Sequence, residues 1–413
     1  MKSPDAGSER SPGRVLGTRA VTAVLATALT AGVLVPLIVL WLGHGAAGGR
    51  PGPSGAPQVT VPRPRPLPQS VGGARVTTIA AGNGVIAYGT EDGGLYASPV
   101  GADPRRIARL NERVVKLAFD SGGRWLAAVD LGSRLAVVDT ARPNSPVAVR
   151  SIRAQSPLYR FPVPSALAID STGSRVAAQT DAIGIYDLRG GPSAPHDDPP
   201  RWLDEVGDND LAFVDGDLVT ASTDPGVCEG DYTCVHVYDV STLRMERQIR
   251  FPVAVNALID HGRLLSTTLS HAFVLDYRTT SPQPGATAAP GRPRPALGST
   301  VAEKTISTRR SPSLRPVAYD GHLVAVMLDA RLVFFEPASR RTLATVRLSF
   351  ATCPSTAGPA PLAEFSTSFS PDHKTLAVAG FCPPANDVDD DTEEGRRLST
   401  YRYWVLAYPS LSR

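Results

Sequence analysis

A pattern of short apolar segments and polar turns repeats along most of this chain. Each copy has two apolar strands joined by a polar turn, followed by a third strand that often ends on an acidic residue. The third strands recur at a mean spacing of about 51 residues, which is typical of repeat architectures. The seven strand pairs lie at 77–90, 114–130, 165–180, 209–223, 255–269, 316–328 and 366–380.

One unit of this size cannot bury its apolar face alone, so the copies are expected to stack radially as four-stranded blades around a channel. After Leu42 no stretch of 12 or more residues shows helical periodicity, which argues against a two-domain α/β chain. The pattern therefore predicts an all-β, seven-bladed β-propeller at 76–413.

The amino-acid sequences of these strands resemble those of two propeller families. The segment SPDHKTLAVAG at 370–380 and several strands that end on aspartate are similar to WD-repeat and YVTN-type seven-bladed propellers; the strands end at Val138-Asp139, Tyr186-Asp187, Tyr238-Asp239 and Leu275-Asp276. Tyr or an aliphatic residue replaces the Trp of the WD dipeptide and no regular Gly-His opens the repeats, so the bacterial YVTN-like branch is the closer match. The resemblance implies a binding platform more often than an enzyme.

Two segments of the expected propeller are irregular. The chain ends soon after the third strand of the seventh unit, so the segment VTV at 59–61 is expected to supply the missing fourth strand. The segment 278–300 is rich in Pro, Gly, Ala and Thr, and we interpret it as a disordered insertion within the fifth unit.

An uncharged apolar stretch at 20–42 precedes the repeats. At 1.5 Å per residue it reaches about 34 Å, against a hydrocarbon core of about 30 Å. This length favours an uncleaved transmembrane helix, while the small residues at 45–47 leave cleavage as the alternative. The tail at 1–19 carries four basic residues, so the positive-inside rule places it in the cytoplasm.

The segment 43–75 is rich in Pro and Gly, a composition that favours an extended linker. The sequence therefore predicts a single-pass protein of the cell membrane with a propeller outside the cytoplasm. A formal charge of +3 over 413 residues makes nucleic acid an improbable ligand. Only four of the 42 basic residues are Lys, which is typical of a GC-rich genome such as an actinobacterial one.

All four cysteines follow the apolar stretch, in a compartment that would be oxidising. Three pairings are possible, and we favour Cys228 with Cys234 and Cys353 with Cys382 because each pair belongs to one unit. All four lie in connections that should emerge on the same face of the propeller. We expect this face, which also includes Tyr232, to bind the partner.

An acidic segment at 386–397 lies on the same predicted face. It carries six carboxylates that are candidates for binding, at Asp387, Asp389, Asp390, Asp391, Glu393 and Glu394. The alternating Asp387, Asp389 and Asp391 could present oxygens to Ca²⁺, although the match to an EF-hand loop is poor. A solvated acidic loop or a docking site for a basic partner are the alternatives.

No local catalytic motif is present, and no cofactor is predicted apart from the Ca²⁺ alternative. Turn histidines such as His261, His322 and His373 are expected to serve backbone geometry. The sequence favours a non-catalytic platform for a protein or an envelope polymer. The alternative is a propeller enzyme of lactonase, lyase or hydrolase type, which would need titratable side chains from several units to converge at one end of the channel.

Overall fold

The computed structural model describes the chain from residue 63 to residue 408 with several gaps. The described residues are 63–142, 146–156, 163–188, 199–203, 208–222, 228, 233–251, 256–260, 263–282, 293, 295–306, 314–329, 331–348, 364–382 and 400–408. The predicted membrane span at 20–42 lies outside them. Within the described ranges, no helix is long and apolar enough to cross a membrane.

The described residues are mainly strands, and they fall into sheets of consecutive strands. In chain order the strands are β1 (Arg65–Pro66), β2 (Ser70–Val71), β3 (Ala74–Gly82), β4 (Val85–Thr90), β5 (Gly94–Pro99), β6 (Arg105–Arg109), β7 (Val114–Phe119), β8 (Trp125–Asp130), β9 (Arg134–Asp139), β10 (Pro146–Ser151), β11 (Ala166–Ile169), β12 (Arg175–Gln179), β13 (Ile183–Asp187), β14 (Arg201–Leu203), β15 (Asp208–Val214), β16 (Asp217–Ser222), β17 (Thr233–Tyr238), β18 (Met245–Phe251), β19 (Asn256–Asp260), β20 (Arg263–Thr267), β21 (His271–Pro282), β22 (Ala296–Thr305), β23 (Arg315–Tyr319), β24 (Val324–Leu328), β25 (Arg331–Glu336), β26 (Arg341–Arg347), β27 (Glu364–Phe369), β28 (Thr375–Cys382) and β29 (Thr400–Ala407).

These strands build four-stranded antiparallel units, which we number along the chain. Unit 1 is β3–β6 with β2 added beside β3, and units 2 to 6 are β7–β10, β11–β14, β15–β18, β19–β22 and β23–β26. Unit 7 combines β27–β29 with β1 from the start of the described chain. The first strands of consecutive units contact one another, and β27 of unit 7 contacts β3 of unit 1.

The core lies between neighbouring units. One apolar cluster joins units 1 and 2 around Leu126, and another joins units 2 and 3 around Val129. Both residues belong to β8 and are completely buried, one on each face of the sheet. Strands covered on both faces have nearly continuous apolar sequences, which explains why the middle strands give the clearest signal.

Tyrosine hydroxyls tie several units together at their edges. The hydroxyl of Tyr403 in unit 7 donates to the carbonyl oxygen of Val76 in unit 1 at 3.0 Å. Tyr408 likewise donates to the carbonyl oxygen of Leu323 in unit 6 at 2.8 Å. Burial raises the pKa of Tyr186, another tyrosine of the core, to about 12. Tyr186 therefore stays neutral across the physiological pH range.

The aspartates that end the third strands have a structural role. Asp239 accepts hydrogen bonds from the backbone N–H groups of Ser241 and Thr242, and Asp276 accepts one from that of Arg278. A side-chain hydrogen bond from Ser241 is the main cause that lowers the pKa of Asp239 to about 2. Asp239 thus closes the turn that follows β17, and Asp276 holds the irregular part of β21 where the pairing register shifts, both in the manner of an Asx-turn.

The strand that completes unit 7 is not the predicted one. The sequence assigned it to 59–61, which lie outside the described residues, but the position beside β29 is occupied by Arg65 and Pro66, opposite Val405 and Trp404. Pro66 has no N–H to donate, and an outermost strand tolerates this because one of its edges needs no partner. The β-branched residues at 59–61 made the wrong segment look more suitable, and the sheet region begins before residue 76.

The predicted disorder at 278–300 is also wrong at both ends of the segment. Residues up to Pro282 extend β21, and residues from Ala296 form β22, so the two strands make a long hairpin. β22 also pairs in parallel with β18 of unit 4, which joins units 4 and 5 into one eight-stranded sheet. Gly298 permits this approach, because a Cβ atom there would overlap the ring of Phe251.

The closing strand provides the first test. Deleting residues 65–68 from the full chain should lower the thermal midpoint by about 4 °C or more, because unit 7 loses its outer strand and the bond from Leu67 N to Tyr403 O. Deleting 58–61 should leave the midpoint unchanged. Equal losses in the two deletions, measured by circular dichroism, would contradict this assignment.

The hairpin provides the second test. Gly298→Val should destabilise the chain by about 1–3 kcal/mol through overpacking against Phe251, whereas the neighbouring Ser299→Ala should have little effect. Urea unfolding followed by fluorescence measures both changes. A Gly298→Val chain as stable as the parent would show that β22 does not pack on unit 4.

Candidate binding channel

The first strands of the units line a channel with a volume of about 1120 Å³. Each unit is an antiparallel meander of four strands, so every first strand starts at the same end of the channel. We call the end where the first strands begin the N-terminal mouth, and the end where they finish the C-terminal mouth. All seven units contribute lining residues.

The first strands have a free edge toward the channel, and side chains from the preceding unit bond to it. Ser368 Oγ in unit 7 accepts the N–H of Ala81 in unit 1 at 2.9 Å. Asp210 Oδ2 in unit 4 accepts the N–H of Ile259 in unit 5 at 2.8 Å. These bonds satisfy buried backbone groups that have no strand partner on that side. They also connect the channel wall across unit boundaries.

Lys116 also bonds to the backbone of the next unit, but its side chain donates the hydrogen bond instead of accepting it. Its Nζ extends from β7 in unit 2 and donates to the carbonyl oxygen of Ser165, just before β11 in unit 3, at 2.7 Å. The protein packed around the ammonium group lowers the pKa of Lys116, and the negative charge of Asp210 offsets part of this effect. The channel wall therefore contains a charged lysine although removing its ammonium group from water costs free energy.

Cations outnumber carboxylates at the N-terminal mouth. Arg113 immediately precedes β7, and Arg315 is the first residue of β23. Together with Lys116 they place three cations at this end, where Asp210 is the sole carboxylate among the described lining residues. The walls beyond them are small or apolar and include Ala118. The arrangement suits a ligand with an anionic group at the mouth and an apolar part deeper in the channel.

The C-terminal mouth also has titratable lining residues, but the surrounding structure accounts for each of them. Asp120 accepts backbone N–H groups of its own turn, those of Gly122, Arg124 and Trp125. Burial is the main influence on this carboxyl and raises its pKa. Asp215 forms an ion pair with Arg278 at 2.8 Å.

His373 completes this set. Its ring stacks on Phe369 with the ring centres 5.1 Å apart, and its backbone φ is 57°. This left-handed conformation confirms the predicted role of His373 in a turn. Within the part of the chain that the structure describes, no three His, Cys, Asp or Glu residues are close enough to hold a metal ion.

Most of the site residues predicted from the sequence lie outside the described residues. These are Tyr232, Cys353, Asp387, Asp389, Asp390, Asp391, Glu393 and Glu394. Cys382 ends β28, which pairs with β29, and its side chain is likewise not described. The Ca²⁺ site and the binding role of the acidic segment therefore stay predictions.

Two of the cysteines are placed, and both are completely buried. Cys234 in β17 lies opposite Ser222 in β16, and Cys228 Sγ is 3.3 Å from the carbonyl oxygen of the same Ser222. The two residues thus approach the same point at the edge of unit 4. Their pairing as a disulfide stays a prediction.

The sequence alone did not identify the channel cations. Lys116 is a single charge inside the apolar strand VVKLAF, and Arg113 and Arg315 precede or begin strands as polar residues commonly do. The one available signal was the lysine in an otherwise apolar strand of a chain with four lysines. Nothing local shows that residues 113 and 315 share one end of a channel.

The fold was compared with those of known proteins. No protein-family model and no curated protein sequence matches this chain. Solved structures do match it, at 12% identity. The β-propeller domain of Cps50 (Swd1) from Myceliophteria thermophila has a TM-score of 0.52, with 85% of this chain and 99% of that chain covered.

Two further structures agree with this match. The RRP9 WD40 repeats have a TM-score of 0.52, with 85% of this chain and all of that chain covered. A chain of the mitotic checkpoint complex has a TM-score of 0.51, with 91% of this chain and all of that chain covered. The chain has a WD40-type β-propeller fold. At this level of identity the likeness concerns the fold alone.

Lys116 provides the third test. Lys116→Met should raise the thermal midpoint by about 2 °C, because it removes a charge that the folded protein desolvates. The folded chain binds fewer protons than the unfolded chain between the lowered pKa and the ordinary value near 10.4. Its stability therefore rises with pH through that window, and the gain from Lys116→Met should shrink toward pH 10.

Lys374→Met is the matched control, since this lysine is exposed in the turn after β27 and no change is expected. A large loss of stability in Lys116→Met would contradict the view that Lys116 is kept at a cost.

Proposed function

We propose that this chain is a membrane-anchored, seven-bladed β-propeller that binds a protein partner outside the cytoplasm at the N-terminal mouth of its channel. The observation that carries the proposal is the group of three cations, Arg113, Lys116 and Arg315, at one end of a cavity of about 1120 Å³. Three cations against one described carboxylate at this mouth suit an anionic group on the ligand.

The seven four-stranded units support seven blades, since their first strands follow one another around the channel and unit 7 returns to unit 1. The apolar stretch at 20–42 and the basic tail before it support a single-pass anchor with the propeller outside the cytoplasm. Both proposals are physically compatible. β1 lies within the predicted linker 43–75, so the linker is shorter than predicted, but residues 43–64 still separate the sheets from the apolar stretch.

The face around the N-terminal mouth has the longest connections of unit 7. The connection from β26 to β27 and the one from β28 to β29 both begin and end on this face. The second contains the acidic segment 386–397. Long loops on a rigid scaffold are common binding elements. A protein with mixed charge could thus contact basic residues at the channel and acidic residues beside it.

In-cell crosslinking of the tagged full chain with mass spectrometry tests this proposal. The parent chain should capture a reproducible partner, and capture should fall at least about fivefold in Arg113→Gln/Arg315→Gln. Neutralising the carboxylates of 386–397 to their amides should also reduce capture. Arg278→Gln, at the C-terminal mouth, is the control and should behave as the parent.

A partner captured equally by every variant would place the binding surface elsewhere. No partner in any sample would contradict the protein-binding proposal and favour an envelope polymer. Glycan arrays would then be the direct measurement.

A further inference from the structure

A group of arginines occupies the outer rim between units 7 and 1. Arg65 belongs to β1, Arg63 precedes it, and Arg105 and Arg106 begin β6. All four are exposed. Arg65 reaches the turn before β6, since a Cβ atom on Gly101 would lie 3.8 Å from its Nη1. We call these four arginines the basic rim.

The charges of the basic rim are uncompensated within the described residues. Nearby arginines on the same unit have acidic partners, as Arg75 does in Glu91 and Arg109 in Asp92. No ion pair among the described residues involves the four arginines of the rim. The turn between β5 and β6 contains one acid, Asp103, which is exposed.

The rim lies on the face of the C-terminal mouth. Third strands run in the same direction as first strands, so β5 and β29 finish on that face. Arg65 pairs with Val405, near the end of β29, and Arg105 follows the turn that begins after β5. The binding face proposed above surrounds the opposite mouth. The two surfaces are therefore separated by the length of the strands.

The chain itself leads from the basic rim to the apolar stretch. Residues 43–62 separate Arg63 from the predicted membrane span at 20–42. Even fully extended, 20 residues reach at most about 70 Å. A tether of this length holds the rim at a high local concentration near the bilayer surface. Arginine also suits lipid phosphate, because its planar guanidinium group can donate two parallel hydrogen bonds.

We infer that the basic rim binds the headgroups of anionic lipids and so turns the N-terminal mouth of the channel away from the membrane. The inference rests on the proposed anchoring by 20–42, but not on the identity of the protein partner. Contact of several arginines with an anionic surface is expected to be weakened by salt, since the attraction falls off within a Debye length.

Hydrogen exchange of the full chain in vesicles tests this inference. The chain is reconstituted in phosphatidylcholine alone and in phosphatidylcholine with about one third phosphatidylglycerol. Amides of the turn at 100–106 should exchange at least about threefold more slowly in the anionic vesicles, and about 0.5 M salt should remove the difference. Arg105→Glu/Arg106→Glu should abolish it.

Arg331→Glu/Arg347→Glu is the matched control. These exposed arginines lie opposite each other on the neighbouring strands β25 and β26 of unit 6. They are on the face of the N-terminal mouth, where β25 begins, and so on the other face from the basic rim. The same two charge reversals there should leave the protection at 100–106 intact. Thermal midpoints of both double variants verify that neither change unfolds the chain.

The outcomes separate the rim from the anchor. If the chain stays in both kinds of vesicle but exchanges no more slowly in the anionic ones, lipid binding by the basic rim is wrong. Membrane anchoring by 20–42 would still be supported. Release from phosphatidylcholine vesicles would refute the anchor. Binding of the chain from solution to anionic vesicles, lost in Arg105→Glu/Arg106→Glu, would then still support the rim, and undiminished binding would overturn it.

Discussion

The closure of unit 7 by residues from the start of the described chain is the constraint on which the other units depend. Arg65 and Pro66 complete its sheet, and Tyr403 of the same unit bonds to Val76 of unit 1. Apolar clusters lie between units, so each sheet has a covered face only while both of its neighbours are in place. Without closure, the facing apolar sides of unit 1 and unit 7 would be exposed to solvent.

The channel follows from this closure, and its charges follow from how the chain uses its acids. Asp120, Asp239 and Asp276 are engaged by backbone N–H groups of their own turns. Asp210 is the one described carboxylate that lines the N-terminal mouth, and Asp103 is the one acid in the turn beside the basic rim. Although the net charge of the chain is small, the described residues thus form one group of cations at the N-terminal mouth and a second on the basic rim.

Sequence patterns predicted the strands well and the candidate site poorly. Asp139, Asp187 and Asp239 marked real strand ends, because such a turn is local, whereas Asp276 lies within β21. The proline and glycine content of 278–300 suggested disorder, whereas Gly298 is needed where β22 approaches Phe251. Composition reports the cost of ordering a segment, but it does not report the partner strand that offsets this cost.

The sequence by itself determined the all-β repeat, the strand order within each unit and the apolar stretch at 20–42, because each depends on residues close together in the chain. Only the tertiary structure decided which segment closes unit 7 and which charges share one mouth of the channel. Lys116 and Asp210 interact across three units, and Arg65 reaches the turn at Gly101. Such contacts arise from the rotation of one unit against the next, a geometry that no local pattern contains.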